Sequence, residues 1–148
     1  MQTEIERKFL VKSDAFKKES DSSYEIRQGF LSRDPERTVR IRIKGSKGFI
    51  TVKGLTYKDG LSRLEWEKEI DLQDAQDLLQ LCEAPIIYKT RYEVHVEQHI
   101  FEIDEFHGKH QGLTIAEVEL QYQEESFVKP KWLGKEVTGD KAYYNSQL

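Results

Sequence analysis

The sequence predicts a mainly β (α+β) protein folded as an eight-stranded antiparallel closed β-barrel, a tunnel with a few flanking helices. Three observations lead to this prediction. Apolar and polar residues alternate with period two through most of the chain, as is typical of strands. About eight such segments occur, and eight strands are enough to close a small barrel. Short turn sequences separate them, which favours antiparallel hairpins over a parallel sheet with long crossovers.

The predicted strands cover residues 4–11, 24–31, 38–44, 49–53, 64–70, 86–96, 99–106 and 113–122. Asp34-Pro35, Asp59-Gly60 and the glycine-containing segments 45–48 and 108–112 are turn signals between them. One helix is predicted over 72–82, where apolar residues recur at helical spacing and Asp71 is a candidate N-cap. A short helical turn is expected at 123–128 and a last short helix at 140–148.

Length and composition set the outer limits. With 148 residues the chain is expected to be one domain, 1–148, large enough to bury its own core. A net charge of -4 gives no reason to expect nucleic acid or an anionic membrane as a partner. The single cysteine excludes an internal disulfide and suits a reducing compartment. Without a long apolar segment or a signal-peptide pattern, a cytoplasmic location is expected, and a homodimer is left open.

The first strand sorts its charges to one side. Glu4, Glu6 and Lys8 share one face, while Ile5 and Phe9 lie on the other. Neighbours in that charged row are roughly 6 to 7 Å apart. Most other strands repeat this sorting, some with basic and some with acidic side chains on the polar face. The basic ones are Arg40, Arg42 and Lys44, then Lys53, then Lys89 and Arg91; the acidic ones are Glu65, Glu67 and Glu69, then Glu102 and Asp104, then Glu117 and Glu119.

Charge alternation by itself favours an ordinary sheet with one solvated face. Two details favour a different interpretation. Full charges dominate the polar face, where a solvated face would mix in serine, threonine and glutamine, and acidic strands are segregated from basic ones. If the ionic face closes inward, carboxylates could hold Mg²⁺ in the same lumen in which arginine and lysine hold phosphate oxygens.

With these residues in view, the chain resembles the CYTH family, also called triphosphate tunnel metalloenzymes, and in particular its short bacterial members related to inorganic triphosphatase. The residues Glu4-Ile5-Glu6-Arg7-Lys8 fit the hallmark ExExK motif of the family. Further matching segments follow in order along the whole chain. They are Arg40-Ile41-Arg42, Thr51-Val52-Lys53, Arg63-Leu64-Glu65-Trp66-Glu67, Lys89-Thr90-Arg91, Asp104, Glu117-Val118-Glu119 and the segment 134–138.

The resemblance implies a charged tunnel that binds a triphosphate together with Mg²⁺ (or Mn²⁺). It implies metal binding by Glu4, Glu6, Asp104, Glu117 and Glu119. It implies phosphate binding by Lys8, Arg40, Arg42, Lys53, Arg63, Lys89 and Arg91. A catalytic role is expected for Lys89, Glu65 and Glu67. For Glu67 and Glu69, an ordinary surface position is an equal alternative.

The expected activity is metal-dependent hydrolysis of a small-molecule triphosphate or polyphosphate, with tripolyphosphate converted to pyrophosphate and phosphate. Phosphoryl transfer requires mainly positioning and charge neutralisation, which such a lumen would supply. Three alternatives stay open, because a fold does not fix a substrate. They are a non-catalytic polyphosphate or nucleotide sensor, a thiamine triphosphatase and an adenylate cyclase.

Two departures from relatives bear on the substrate. Some inorganic triphosphatases of the family have a tyrosine after the Arg-Gln-Gly stretch, whereas this chain has Phe30 there. The resemblance therefore does not support a tyrosine-assisted lysine base. The chain also stops soon after Tyr143-Tyr144-Asn145, where longer relatives continue with more helix. One end of the tunnel is accordingly expected to be more open, with room for an organic group.

Overall fold

Eight strands of the protein close into an antiparallel barrel, to which a ninth short strand is added. The computed structural model describes residues 1–148. The strands are β1 (Gln2–Val11), β2 (Ser22–Ser32), β3 (Arg37–Lys44), β4 (Lys47–Gly54), β5 (Ser62–Ile70), β6 (Glu83–Val96), β7 (His99–Phe106), β8 (Thr114–Glu119) and β9 (Leu133–Glu136). The helices are α1 (Phe16–Glu19) and α2 (Leu72–Gln80), with 3₁₀ turns at Gly108–His110, Lys141–Tyr143 and Asn145–Gln147. The predicted fold class is confirmed.

Closure of the barrel depends on β1. The strand order is β5-β4-β3-β2-β6-β7-β8-β1-β9, and an additional pairing of β5 with β1 joins the two ends. One edge of β1 pairs with β8, which places Lys8 opposite Glu117. Its other edge is shared: Glu4 pairs with Arg63 of β5, and Phe9 pairs with Glu136 of β9. Because opposite residues of an antiparallel pair share a face, the charged face of β1 continues onto β8 and β5.

Helix α2 packs across β3 and β4, and Ala75 is its fully buried residue. The fit is close, since a Cβ atom on Gly48 of β4 would lie 2.5 Å from the Ala75 Cβ. Helix α2 begins at Leu72, as predicted. Asp71 occupies the predicted N-cap position, but its side chain makes no capping hydrogen bond.

Two of the predicted helical segments differ from the structure. Residues 123–128 form no helix: Glu125 accepts hydrogen bonds from the Gln121 backbone N–H and forms an ion pair with His99, which holds this segment as a loop. The predicted last helix is two 3₁₀ turns. Strand β9 was not predicted at all, because four residues are too few to establish an alternating pattern.

The largest apolar core lies outside the barrel wall. It includes Phe9, Phe101 and Trp132, with Phe16 of α1 packed among them. These rings meet edge to face, for example Phe101 and Trp132 with centroids 5.6 Å apart. None of the helices is long and apolar enough to span a membrane.

A second apolar cluster lies inside one end of the barrel. Phe106 pairs with Lys89, and Ile115 pairs with Asp104, so both share the interior face with those charged residues. They pack with Phe30 and Ile87, and Tyr143 and Leu148 from the end of the chain pack against the cluster. The expectation of a more open tunnel end is therefore wrong, because these last residues cover an apolar interior end.

Candidate active site

A cavity of about 300 Å³ lies inside the barrel and is almost entirely polar. Twenty-five residues line it, and two of them are hydrophobic. Every predicted site residue except Asp104 lies on its surface. They are Glu4, Glu6, Lys8, Arg40, Arg42, Lys53, Arg63, Glu65, Glu67, Lys89, Arg91, Glu117 and Glu119. Alternation along the strands explains this result, because residues of one parity face inward in a closed barrel.

Acidic side chains from β1 and β8 form one wall. Glu6 pairs in register with Glu119, and Glu117 lies beside Lys8, with Nζ and Oε1 3.8 Å apart. Burial raises the pKa of Glu6 well above its usual value, and repulsion by Glu117 and Glu4 raises it further. Burial also raises the pKa of Glu119, again with help from Glu4. At Glu117 the nearby Lys8 and other groups outweigh burial and lower the pKa to about 2, so the uncompensated carboxylates of this wall are Glu6 and Glu119.

One lysine partly offsets that charge. Lys53 Nζ donates to both carboxylate oxygens of Glu4 at 2.9 and 3.2 Å and lies 3.5 Å from Glu65. Burial lowers the pKa of Lys53, but Glu4 and Glu6 outweigh it, so the net shift is upward. Burial likewise outweighs the Lys53 charge at Glu4, whose pKa is raised. The ammonium is therefore charged and already held within the acidic wall.

Guanidinium groups of β3 form the opposite wall. Arg40 donates to the Thr51 hydroxyl at 3.2 Å, and Thr51 in turn donates to Glu67 at 2.7 Å. Arg42 lies 3.5 Å from the same carboxylate. Burial, followed by repulsion from Arg40 and Arg91, lowers the pKa of Arg42 to about 9. The Nε atoms of Arg40 and Arg42 are buried without a hydrogen-bond partner, so this wall has unused donors.

Asp104 lies at the junction between β6 and β7 and does not line the cavity. Its two oxygens accept from Arg91 Nε and Nη2 at 2.7 and 2.9 Å. Lys89 Nζ is 2.7 Å from the same carboxylate. Burial raises the pKa of Asp104, but Arg91 and Lys89 outweigh it and lower the pKa overall. Asp104 is thus a buried counterion to two cations.

Lys89 is 1% exposed. Burial lowers its pKa to about 7, against the opposing effect of Asp104. Besides Asp104, its ammonium donates to Asn145 Oδ1 at 2.8 Å. The ring of Phe30 lies in the interior apolar cluster and has no hydroxyl to offer this lysine. Asn145 and Asp104 are its polar partners.

No three histidine, cysteine, aspartate or glutamate side chains are grouped as a ready-made metal cage. The chemistry of the donor set nevertheless fits a divalent cation. Burial and then neighbouring carboxylates raise the pKa values of Glu6 and Glu119, so a positive ion would stabilise their charged forms. Mg²⁺ is commonly held by one or two carboxylates plus substrate phosphates. The unpartnered donors of Arg40 and Arg42 fit the phosphate oxygens.

The sequence did not single out several residues that also line the cavity. Thr138 follows β9, and Tyr144, Asn145 and Ser146 belong to the last eight residues of the chain. These residues lie outside the barrel strands, where no alternation of polar and apolar residues predicts which side chains face the interior. Glu67 lines the cavity, whereas Glu69 is exposed and does not.

Residues 2–146 match the model of the CYTH domain. The chain belongs to the CYTH family. The ordered motifs from ExExK onwards are therefore those of a CYTH domain that spans nearly the whole chain.

Individual relatives of this CYTH protein agree in length and fold. It is 46% identical over 149 residues to an inorganic triphosphatase of Acetivibrio thermocellus, covering 100% of this chain and 94% of that protein. It is 37% identical over 150 residues to an inorganic triphosphatase of Nitrosomonas europaea, covering 99% and 96%. The crystal structure of the inorganic triphosphatase NE1496 superposes with a TM-score of 0.67 at 34% identity, covering 99% and 94%.

Proposed function

We propose that this CYTH protein is an inorganic triphosphatase, which hydrolyses tripolyphosphate to pyrophosphate and phosphate with the help of Mg²⁺ or Mn²⁺. One observation carries the proposal: one cavity inside the barrel has an acidic wall that a cation would neutralise and a basic wall with unpartnered donors that an anion would accept from. A metal-bound polyphosphate supplies both. The names of the two relatives, at 46% and 37% identity, support the same reaction.

The basic wall would bind the polyphosphate. Arg40 and Arg42 have buried guanidinium donors, and a planar guanidinium can contact two phosphate oxygens at once. Lys8 and Arg91 line the same cavity and add two further cations. Since the transition state of phosphoryl transfer spreads negative charge over the phosphate oxygens, fixed cations in a shielded cavity stabilise it.

The acidic wall would hold the metal ion. The proposed ligands are Glu4, Glu6, Glu117 and Glu119. When bound, the cation would neutralise phosphate charge and could activate water for attack on phosphorus. These carboxylates would determine where the cation lies: Glu6 and Glu119 are paired across β1 and β8, and Glu4 and Glu117 lie on the same face, two residues away along each strand.

Asp104 is given a different role from the one that the family resemblance implied. Both of its oxygens are engaged by Arg91 and Lys89, and it lies behind the cavity surface. A carboxylate used in this way orients the two cations and balances their charge. We therefore assign Asp104 to positioning Lys89 and Arg91, and leave metal binding to the four glutamates.

Lys89 is the residue suited to move a proton. With its pKa lowered to about 7, its Nζ atom exchanges a proton readily near neutral pH. It lines the cavity beside Arg91, where it would contact the reacting phosphate. Glu65 and Glu67 line the same cavity; Glu67 pairs with Arg40 and Arg42, and Glu65 with Lys53, so both would hold the phosphate-binding side chains in place.

The test is a phosphate-release assay with tripolyphosphate, pyrophosphate, ATP and thiamine triphosphate, each with Mg²⁺, Mn²⁺ or EDTA. We expect turnover of tripolyphosphate with a divalent cation and none in EDTA. Glu4→Ala and Glu6→Ala should lose turnover. Glu69→Ala is the matched control, because it removes a glutamate that is exposed and outside the cavity.

The outcomes separate the alternatives. Preference for thiamine triphosphate or ATP over tripolyphosphate would replace the proposed substrate. Tight binding of tripolyphosphate that remains intact after long incubation with metal would instead identify a sensor. Equal activity of Glu4→Ala, Glu6→Ala and Glu69→Ala would contradict the assignment of the acidic wall.

A further inference from the structure

The last eight residues of the chain form part of the cavity. After the capping hydrogen bond from the Ala142 N–H to Asp140, they run as two 3₁₀ turns across the end of the barrel. Tyr143 and Leu148 pack on the interior apolar cluster. Arg33 fixes the path of this segment, because its Nη1 donates to the Ser146 carbonyl at 2.9 Å. These contacts anchor the segment on both sides of Asn145.

Between these anchors, Asn145 reaches the interior. Its Oδ1 atom accepts from Lys89 Nζ at 2.8 Å and from Gln28 Nε2 at 2.7 Å. Both partners are donors, so the amide oxygen faces them. Lys89 is 1% exposed, and Gln28 is fully buried. Asn145 therefore ties the buried lysine of β6 to the glutamine of the neighbouring strand β2.

The same segment contacts a second lysine of the site. Lys8 Nζ donates to the Tyr143 carbonyl at 3.3 Å and lies 5.3 Å from the centre of the Tyr144 ring. A cation over an aromatic ring is attracted to its face. Residues 143–145 thus contact the ammonium groups of Lys8 and Lys89, which project from different strands of the barrel.

Without Asn145, Asp104 would be the remaining hydrogen-bond acceptor of the Lys89 ammonium, which otherwise lies 5.5 Å from the centre of the Phe106 ring. Asp104 is shared with Arg91, which takes both of its oxygens. A lysine side chain has four rotatable bonds, and a single shared partner leaves its end less constrained. A second acceptor, independent of Asp104, restricts the direction of the ammonium further. Asn145 supplies that acceptor, and the anchored segment supplies its rigidity.

We propose that Asn145 is a positioning residue, which holds the Lys89 ammonium at the closed end of the cavity. Its effect on turnover rests on the proposed triphosphatase function; its effect on Lys89 does not. The segment 141–148 then has two roles: it covers the apolar end of the barrel and it completes the site.

Three variants test the proposal. Asn145→Ala removes the acceptor, and Asn145→Asp keeps an oxygen at the same place. Gln147→Ala is the matched control, because it removes an exposed amide from the same segment without a contact to either lysine. Thermal unfolding of each variant verifies that the barrel is intact.

Two readouts are measured. In Asn145→Ala we expect kcat for tripolyphosphate to fall by about tenfold, the effect of one hydrogen bond to a charged group, with KM changed by less than about twofold. The second readout needs no substrate: labelling of Lys89 by an amine-reactive reagent, followed by peptide mass spectrometry. The labelling rate should rise by about tenfold in Asn145→Ala. In Asn145→Asp the carboxylate keeps an acceptor for Lys89 and favours its charged form, so labelling should stay at or below the wild-type rate. Gln147→Ala should match the wild type in both readouts.

The labelling experiment decides the proposal even if no triphosphate is hydrolysed. Equal labelling of Lys89 in Asn145→Ala and Gln147→Ala would overturn it, and so would a failure of Asn145→Asp to protect Lys89. If the wild type turns over none of the triphosphates while Lys89 labelling changes as expected, the proposed function fails and the positioning role stands. If the wild type is active and Asn145→Ala retains full kcat, the role of Asn145 in turnover is refuted.

Discussion

Removing the Asp104 carboxylate should destabilise the protein strongly, in the absence of any metal ion. Asp104 is 2% exposed and is the shared counterion of Lys89 and Arg91, at 2.7 Å from each. In Asp104→Asn, two buried cations lose the carboxylate between them. Breaking a buried ion pair by removing one partner costs about 3–5 kcal/mol. For a chain of this size, that corresponds to a fall in Tm of about 6 to 20 °C.

The measurement is urea denaturation and differential scanning calorimetry in EDTA. Glu102→Gln is the matched control: Glu102 also pairs with Arg91, at 3.2 Å, but its side chain is 38% exposed. An exposed pair contributes at most about 1 kcal/mol, so this variant should unfold close to the wild type. A double variant, Asp104→Asn with Lys89→Met, should recover part of the loss, because it removes one of the unpaired cations.

Two results would refute this reasoning. Equal stability of Asp104→Asn and Glu102→Gln in EDTA would mean that the buried triad contributes nothing to folding. A loss of stability in Asp104→Asn that appears only when wild type and variant are compared with Mg²⁺ present would be the second. That second result would restore Asp104 as a metal ligand.

Three further predictions concern the two walls of the cavity. The pKa of Glu6 is raised in the folded protein, so its contribution favours folding below the ordinary value of 4.5 and is lost as pH rises through the raised pKa. Metal-free Glu6→Gln should therefore match the wild type in stability near pH 4.5 and exceed it at pH 8, as measured by urea denaturation. Arg42→Ala should weaken binding of tripolyphosphate by about 10- to 100-fold in isothermal titration calorimetry, because it removes charge-assisted hydrogen bonds. The exposed Arg37 of the same strand supplies the control, Arg37→Ala, which should bind normally. Finally, tripolyphosphate with Mg²⁺ at 100 times its Kd should stabilise the fold by about 2.7 kcal/mol, raising Tm by about 5 to 11 °C.

Each of these has a contrary outcome. If the free energy of unfolding of Glu6→Gln is lower than that of the wild type at pH 8, burial and neighbouring carboxylates do not destabilise the charged form of Glu6. Equal weakening by Arg42→Ala and Arg37→Ala would place the polyphosphate outside the cavity. An unchanged Tm at saturating tripolyphosphate and Mg²⁺ would mean that the folded protein does not bind them.

The barrel and most of its lining were predictable because strand geometry is regular. Side chains two residues apart share a face, so Arg40 and Arg42 had to lie together once the strand was recognised. Closure then placed every such face in one lumen. The segregation of acidic from basic strands distinguished this barrel from an ordinary sheet with one wet face, since only a shared interior brings Glu6 and Arg42 into one cavity.

What the sequence left undetermined depends on contacts distant along the chain. Asp104 has the same parity as the lining residues. It does not line the cavity, because the side chains of Lys89 and Arg91 contact its carboxylate. Asn145 lies in a segment with no alternation, and its distance along the chain from Lys89 gives no sign of their contact. The apolar end of the barrel interior could not be predicted for a related reason. Phe106 and Ile115 have the same parity as the charged residues of their strands, and the strand register is needed to show that they lie inside.

The most direct test of the central claim is to follow tripolyphosphate by ³¹P NMR in the presence of the wild-type protein and Mg²⁺ or Mn²⁺. The account predicts that pyrophosphate and phosphate appear in equal amounts, that EDTA stops the reaction, and that Glu6→Ala prevents it. Persistence of intact tripolyphosphate with saturating metal, or turnover that Glu6→Ala leaves unchanged, would contradict the claim that this charged barrel is the site of triphosphate hydrolysis.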